Sequence, residues 1–469
     1  MTEKFEFTDK LKKALYIAMG AGILGLVIAF FLYPQNNHSR FWSNLLLNIY
    51  YFTGIGLFGL FFVAANQLGY SGWIIVVRRV ILSLSSFVLV GAPLLLLIAL
   101  LTWVGAHNIY DHWLHVIKHP ESIPEKMTTK AIYLNLPFWT SRILIYAALW
   151  VFFTRLFSRF FEKDLTDKKN YKISKLISAA WIVVFAVTES AVSWDMVMSI
   201  DPHWYSTLFG WYNFASYSCA GFAFAILLTI FLKSQGYLPQ VNENHIHDLG
   251  KFLFGFSVFW TYLWFSQFML QWYANIPEDT AYWVKRFSSG FFAVIILTLL
   301  INFLLPLLVL MKRGSKRNFK TVSFVSVMVI IGHYLDFYNM IMYEPNVPAA
   351  SHAEHHAQAV SKNYHLYAAN EPAKDVDHAT SNTSSEKAGA AIAPHGKSDA
   401  AGATDHQAKP GSHHAEAAHG SHDSHDAHGT PSHLAGFGLP EILIFIGFAG
   451  LFLFMFFSEL SKYALINEK

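Results

Sequence analysis

The chain alternates between long apolar runs and shorter polar connections. Ten apolar runs lie at residues 14–33, 43–68, 80–104, 141–157, 175–199, 208–232, 252–272, 290–311, 322–343 and 440–457. Each approaches the length of about 20 residues with which an α-helix crosses the hydrocarbon core of a bilayer. The pattern therefore predicts an all-α, polytopic membrane protein with about ten transmembrane helices, called spans 1 to 10 below.

Composition points the same way. Of the 469 residues, 54% are hydrophobic and only 14% are charged, whereas an ordinary soluble domain carries about a quarter of charged residues. Too few charges remain to cover a water-facing surface, so we expect membrane lipid as the surroundings. A net charge of +3 is too small to indicate a nucleic-acid partner.

Basic residues set the expected orientation. They cluster in the connections after spans 4 and 8, and cytoplasmic connections carry an excess of Lys and Arg. Both termini are therefore predicted to be cytoplasmic, and the odd-numbered connections periplasmic. The clusters are Lys163, Lys168, Lys169 and Lys172, and Lys312, Arg313, Lys316 and Arg317.

The pattern predicts three regions. Residues 1–343 form a membrane domain with spans 1 to 9, residues 344–439 a periplasmic loop, and residues 440–469 span 10 with a cytoplasmic tail. The loop holds 14 of the 23 histidines and few large apolar residues, so we expect it to be disordered. Its histidines could capture Zn²⁺, Cu²⁺ or Ni²⁺ or simply form a soluble, pH-sensitive tether. Their spacing fixes no coordination geometry, which favours the tether.

Several cofactors are excluded by residue type. Cys219 is the single cysteine, which excludes an iron–sulfur cluster, a cysteine-rich zinc site and covalently attached haem. A haem held between two transmembrane helices needs two axial histidines, and His333 alone lies well inside a span. The chain is thus expected to carry no redox cofactor and no bound metal of its own.

Several acidic and imidazole side chains lie within the apolar runs. Titratable groups are energetically unfavourable in the hydrocarbon core, so each is a candidate functional residue. Glu189 lies deep in span 5, and Asp195 projects from another side of the same helix. His333 and Asp336 lie three residues apart on span 9 and so share one face. Such groups either link helices by hydrogen bonds or move protons and line a quinone pocket. Both explanations stay open at this point.

Three segments carry a family resemblance: residues 133–142 (YLNLPFWTSR), 189–205 and 247–279. Together they resemble the NrfD/PsrC-like membrane subunits of bacterial alternative complex III, of the type called ActF. The resemblance covers most of residues 11–342 and the last span. It implies two four-helix bundles plus two peripheral helices, in the inner membrane of a bacterium.

The resemblance also implies a function. Such a subunit belongs to a quinol:cytochrome c, or oxidase-linked, oxidoreductase and is not a complete enzyme alone. Its implied partners are multihaem and monohaem cytochrome c subunits, an iron–sulfur subunit, a second NrfD-like subunit and a terminal oxidase. Menaquinol or ubiquinol is the implied substrate. The resemblance assigns quinone binding to Asp201 and His203, and a proton path to Glu189, His333 and Asp336.

Two other functions fit the same residues. A secondary transporter could use the buried acids to couple ion and substrate movement, but such proteins often contain two related halves. No five-plus-five repeat is evident here, since the polar spans 5 and 9 are not equivalent in that arrangement. A purely structural anchor for the other subunits of the complex is the third hypothesis.

Overall fold

The computed structural model describes residues 4–118, 130–161, 167–287, 290–343 and 437–465. Apart from one isolated backbone bridge between Lys4 and Ala464, these residues form helices, turns and loops. Ten helices are long and apolar enough to cross a membrane, which confirms the predicted all-α, polytopic membrane class. They are Asp9–Leu32, Asn37–Leu68, Ile75–Trp103, Leu136–Phe160, Lys168–Ile200, Leu208–Ser234, Glu243–Ala274, Phe291–Leu310, Phe319–Ile341 and Leu439–Leu460.

Most helices extend beyond the predicted apolar runs, and at spans 4 and 7 an asparagine outside the run caps the helix. Asn135 accepts a hydrogen bond from the Phe138 N–H at 3.0 Å and so starts span 4. Asn242 does the same for span 7, accepting from the N–H groups of Asn244 and His245 at 2.9 and 3.3 Å. Each cap satisfies backbone donors that have no partner inside the helix.

Spans 2 to 5 form one four-helix bundle. Span 2 packs against span 3, span 3 against span 4, span 4 against span 5, and span 5 returns to span 2. Spans 6 to 9 close a second bundle in the same order, and spans 2 and 5 pack against span 6 where the bundles meet. Spans 1 and 10 pair outside both bundles, as the predicted two bundles with two peripheral helices require.

The packing of the helices has a repeat that a division into two halves of five spans does not reveal. The two bundles follow each other with a period of four spans, so that spans 5 and 9 occupy equivalent positions. Spans 5 and 9 are not equivalent in two halves of five spans, as expected, but they are equivalent in this arrangement of two four-span bundles. Helix count alone does not reveal which spans stand outside a repeat.

Glycines let spans 1 and 10 approach closely. A Cβ added to Gly447 would lie 2.3 Å from the Cα of Gly22, and one added to Gly450 would lie 2.9 Å from the Cβ of Ala18. Small residues drive helix association in lipid because they allow close backbone packing. This contact holds span 10 against span 1 although more than 400 residues separate Gly22 from Gly447.

One end of the molecule carries the first, third, fifth and seventh connections. We call it the predicted periplasmic end, because the side of the membrane that it faces stays a prediction. Two short helices lie in these connections, Asp111–Lys118 and Pro277–Phe287. Nearly all of the predicted histidine-rich loop, residues 344–439, lies outside the described residues, and its disorder and metal binding stay predictions. The described residues all belong to one compact unit.

Candidate functional site

Asp336 of span 9 lies at the centre of the second bundle and is buried. Its carboxylate accepts hydrogen bonds from Ser216 Oγ at 2.7 Å, from Trp260 Nε1 at 2.8 Å and from the hydroxyl of Tyr212. Tyr212 and Ser216 lie one turn apart on span 6, while Trp260 comes from span 7. An ionised carboxylate accepts all three hydrogen bonds at once.

His333 lies one turn before Asp336, as its i, i+3 spacing predicts. Its Nδ1 is 3.0 Å from Ser216 Oγ and 3.4 Å from Asn302 Nδ2 of span 8. Its Nε2 has no hydrogen-bond partner among the described residues. All four helices of the second bundle therefore contribute side chains to this site: Tyr212, Ser216, Trp260, Asn302, His333 and Asp336.

Local backbone features bring Asn302 to the site. It lies in a π-helical turn, Leu300–Leu304, that interrupts span 8, and such turns frequently occur at functional sites. Opposite it, a Cβ added to Gly332 would lie only 2.0 Å from Asn302 Oδ1. Any larger residue at Gly332 would therefore push the amide of Asn302 away from span 9.

Glu189 lies in the first bundle, on span 5, and is buried. Its Oε2 is 3.4 Å from Ser190 Oγ, and its Oε1 makes no hydrogen bond of standard geometry within the described residues. The carboxyl group lines a cavity of about 10 Å³, room for about one water molecule, whose other lining residues include Tyr50 of span 2 and Tyr217 of span 6. Hydroxyl groups beside a buried acid are suitable partners for proton exchange.

Asp195, on the same helix, faces a different neighbour, as its angular offset from Glu189 predicts. Arg142 of span 4 donates to both of its carboxylate oxygens, at 3.0 Å from Nε and 2.7 Å from Nη2. The hydroxyl of Tyr146 donates to the same carboxylate at 3.2 Å. A buried, bidentate ion pair with a third donor is fully satisfied, so this acid links helices.

Asp201 follows span 5 at the predicted periplasmic end and is buried. Its Oδ2 lies 3.8 Å from Lys285 Nζ of the short helix Pro277–Phe287. Burial alone raises the pKa of Asp201, but the charges of Lys285 and Arg286 outweigh burial and hold the pKa below its ordinary value. Asp201 is therefore an anion at neutral pH. Next to it, Lys130 Nζ donates to the backbone carbonyl of Pro202 at 2.7 Å.

A cavity of about 10 Å³, room for about one water molecule, lies beside Asp201. Trp204 and Tyr282 line it, with their rings stacked at 4.0 Å between centroids. The guanidinium group of Arg286 also lines the cavity and lies 3.5 Å from the ring centroid of Tyr282. His203 is exposed and is not among the lining residues. The cavity thus combines one anion, one cation and flat aromatic walls.

The predicted site residues accordingly fall into three places. His333 and Asp336 share the second bundle, whereas Glu189 lies in the first bundle with span 6 between them. Asp201 and His203 lie at the predicted periplasmic end, and only Asp201 faces the cavity. Among the described residues, no three His, Cys, Asp or Glu side chains group closely enough to hold a metal ion.

Several side chains that contact the candidate site residues were not predicted from the sequence. Arg142 was a detectable signal, because an arginine inside an apolar run needs a buried acid and Asp195 lies at the same depth of the next span. Ser216 and Tyr212 also lie at i, i+4 spacing on span 6, but serines and tyrosines are too common in membrane helices to stand out. No sequence signal identifies Asn302 or Arg286 as part of a site.

Comparison with known proteins adds no identification. No protein-family model matches the chain, and no curated protein matches it at a significant level.

Proposed function

We propose that this chain is an integral membrane subunit, without a redox cofactor of its own, of a quinol-oxidising complex of the alternative complex III type. In this proposal it binds quinol at the predicted periplasmic end or conducts the released protons. The resemblance of residues 133–142, 189–205 and 247–279 suggests the complex. The main support for the proposal is the buried pair Asp336 and His333. Two titratable groups bridged by a single hydroxyl are energetically unfavourable inside a membrane bundle, which indicates a functional role.

The quinol would bind in the cavity beside Asp201. Its volume of about 10 Å³ is room for about one water molecule, so the stacked rings of Trp204 and Tyr282 would have to separate to admit a quinone ring, with the isoprenoid tail outside. The ionised Asp201 can accept a hydrogen bond from a quinol hydroxyl, and Arg286 can donate to the opposite oxygen. His203, which is exposed, would receive a proton on its way to water.

Two buried acids are the proposed proton carriers. Glu189 with Tyr217 would serve the first bundle, and Asp336 with His333 the second. Electrons from quinol would leave through partner subunits that hold haem and iron–sulfur groups. The redox chemistry therefore belongs to the complex, and this chain contributes binding and proton exchange.

The test is quinol oxidation and proton release by the intact purified complex. Glu189→Gln and Asp336→Asn remove a titratable carboxyl while keeping the side-chain shape, and Asp9→Asn, on the exposed first turn of span 1, is the matched control. We expect at least one of the buried variants to lose tenfold or more in rate or in protons released, on the order of the contribution of general acid–base groups. Parental rates and parental proton release in both variants would exclude these residues from the mechanism.

One observation favours a secondary transporter instead. The two bundles pair their helices in the same order, and transporters are often built from repeated halves. Co-purification separates the two functions. A complex with the absorbance of c-type haem supports the respiratory subunit or a structural anchor, whereas a colourless chain that moves solute in vesicles supports transport.

A further inference from the structure

Ser216 stands between two proton-exchanging groups and has one hydrogen to give. Its Oγ lies 2.7 Å from Asp336 Oδ2 and 3.0 Å from His333 Nδ1. A serine hydroxyl donates one hydrogen bond and accepts others. For both contacts to be hydrogen bonds, the neighbour that does not receive the serine hydrogen has to donate to the serine oxygen.

The state of Asp336 decides the direction. When Asp336 is ionised it can only accept, so Ser216 donates to it and His333 donates from Nδ1–H to Ser216. When Asp336 is neutral and donates its own hydrogen to Ser216, the serine donates to Nδ1, and the imidazole must carry its hydrogen on Nε2. Trp260 gives no alternative, because its indole N–H can only donate.

We propose that Ser216 is a relay residue that couples the protonation of Asp336 to the tautomer of His333. The inference rests on the proposed proton-carrying role of these two residues and names the residue through which they communicate. A proton binds at Nε2 of His333, the Nδ1 hydrogen moves to Ser216 Oγ, and the serine hydrogen moves to Asp336 Oδ2. The sum is one proton taken up at Nε2 and one neutral carboxyl formed.

The surroundings suit this exchange. His333 and Ser216 are buried, and His333 Nε2, where the proton enters and leaves, has no partner within the described part of the chain. Tyr212 is a further titratable neighbour; its hydroxyl donates to Asp336 Oδ1 and leaves Oδ2 to Ser216 and Trp260. The side-chain amide of Asn302 near Nδ1 can present either its oxygen or its nitrogen by a half-turn, so it accommodates both tautomers.

The experiment reads the tautomer directly. ¹⁵N-histidine-labelled protein in lipid bilayers is studied by solid-state NMR in mildly alkaline buffer, and the His333 signals are identified by their loss in His333→Gln. We expect the Nδ1–H tautomer in the parent. The comparison is made in a Trp260→Phe background, because the indole N–H of Trp260 donates to Oδ2 and would otherwise hold the amide oxygen of an asparagine towards Ser216. In this background Tyr212 still donates to the Oδ1 position, so Asp336→Asn turns its amide N–H towards Ser216 and is expected to shift His333 to the Nε2–H tautomer.

Removal of the relay tests the coupling. In a Ser216→Ala background that also carries Trp260→Phe, Asp336→Asn is expected to leave the tautomer of His333 unchanged. Ser218→Ala is the matched control, since Ser218 lies two residues further on span 6, is buried and its hydroxyl has no partner in the described ranges. In that background the response to Asp336→Asn is expected to be complete. Ser216→Cys, with nearly the parental volume and a weak hydrogen-bonding group, replaces Ser216→Ala if the alanine variant fails to fold.

Two outcomes in the Trp260→Phe background would overturn the relay: a parental tautomer in Asp336→Asn, or a full tautomer shift in Asp336→Asn that persists without the Ser216 hydroxyl. Neither outcome depends on turnover or on partner subunits. A coupled tautomer with unchanged quinol oxidation and proton release in Ser216→Ala would leave the relay standing and contradict the proposed function. Loss of quinol oxidation in Ser216→Ala without a coupled tautomer would contradict the relay and leave the proposed function standing.

Discussion

Ser216 and Tyr217 are consecutive residues of span 6, yet their side chains face different bundles. Ser216 contacts Asp336 and His333 in the second bundle, while Tyr217 lines the Glu189 cavity in the first. Successive residues on a helix are about 100° apart, so one helix can serve two sites. Span 6 thus separates the two buried acids and contacts both.

Because these acids share no hydrogen-bond partner among the described residues, their effects on stability are expected to be independent. Glu189→Gln and Asp336→Asn should each change the free energy of unfolding by about 1–3 kcal/mol. The double variant should show the sum of the two changes to within about 0.5 kcal/mol. Denaturant unfolding in detergent, followed by tryptophan fluorescence, measures all three. A larger deviation would indicate that span 6 transmits strain between the sites.

Arg142 and Asp195 provide a second prediction, because a buried charge is costly once its partner is gone. Arg142→Met should destabilise the protein by about 3–5 kcal/mol, since Asp195 is then left as an unpaired buried carboxylate. Arg142→Met combined with Asp195→Leu should recover most of that loss. The thermal unfolding midpoint in detergent measures both variants. A single variant that melts like the parent would contradict the pairing, and so would a double variant as unstable as the single one.

The pH dependence of stability tests the environment of Asp201. Its pKa is held below the ordinary value by Lys285 and Arg286, so the ion pair stabilises the fold at any pH above the unfolded-state pKa of about 4. The contribution is lost only as the pH falls through the lower folded-state pKa. Asp201→Asn should therefore lower the melting midpoint throughout the range from pH 5 to pH 8, by the equivalent of about 1–3 kcal/mol of unfolding free energy.

That difference between Asp201→Asn and the parent should shrink in more acidic buffer, as the parent loses the same charge. Asp9→Asn on the exposed first helical turn serves as the control and should change the midpoint little at any pH. A difference that already disappears near pH 7 would mean that Asp201 titrates close to neutrality and is not held as an anion.

The helices were predictable because a bilayer allows few alternatives. Every backbone polar group must be satisfied inside lipid, so an apolar run of sufficient length becomes a helix. Helix ends were predicted less well, since Asn135 and Asn242 cap from outside the apolar runs. The packing period of four spans was not predictable from hydropathy at all, because that pattern does not encode which helices touch.

Of the residues in the candidate sites, only the titratable ones inside the membrane spans were predictable from the sequence. Glu189, His333 and Asp336 stand out because titratable groups are rare in lipid, and the i, i+3 spacing correctly placed His333 beside Asp336. Their partners are ordinary residues of membrane helices. Ser216, Asn302 and Tyr212 acquire a role from the arrangement of spans 6, 8 and 9, which only three-dimensional packing determines.

The contact between spans 1 and 10 gives the last prediction. Gly447→Val places a branched side chain where even a Cβ would lie 2.3 Å from the Cα of Gly22, and backbone atoms cannot yield as a flexible side chain can. Spans 1 and 10 must then separate, at a cost of about 1–3 kcal/mol for overpacking. Gly20→Val is the matched control, because a Cβ at Gly20 has no atom within 4 Å. The melting midpoint in detergent should fall for Gly447→Val and stay near the parental value for Gly20→Val. Equal midpoints for the two variants would show that the two peripheral helices do not pack through these glycines.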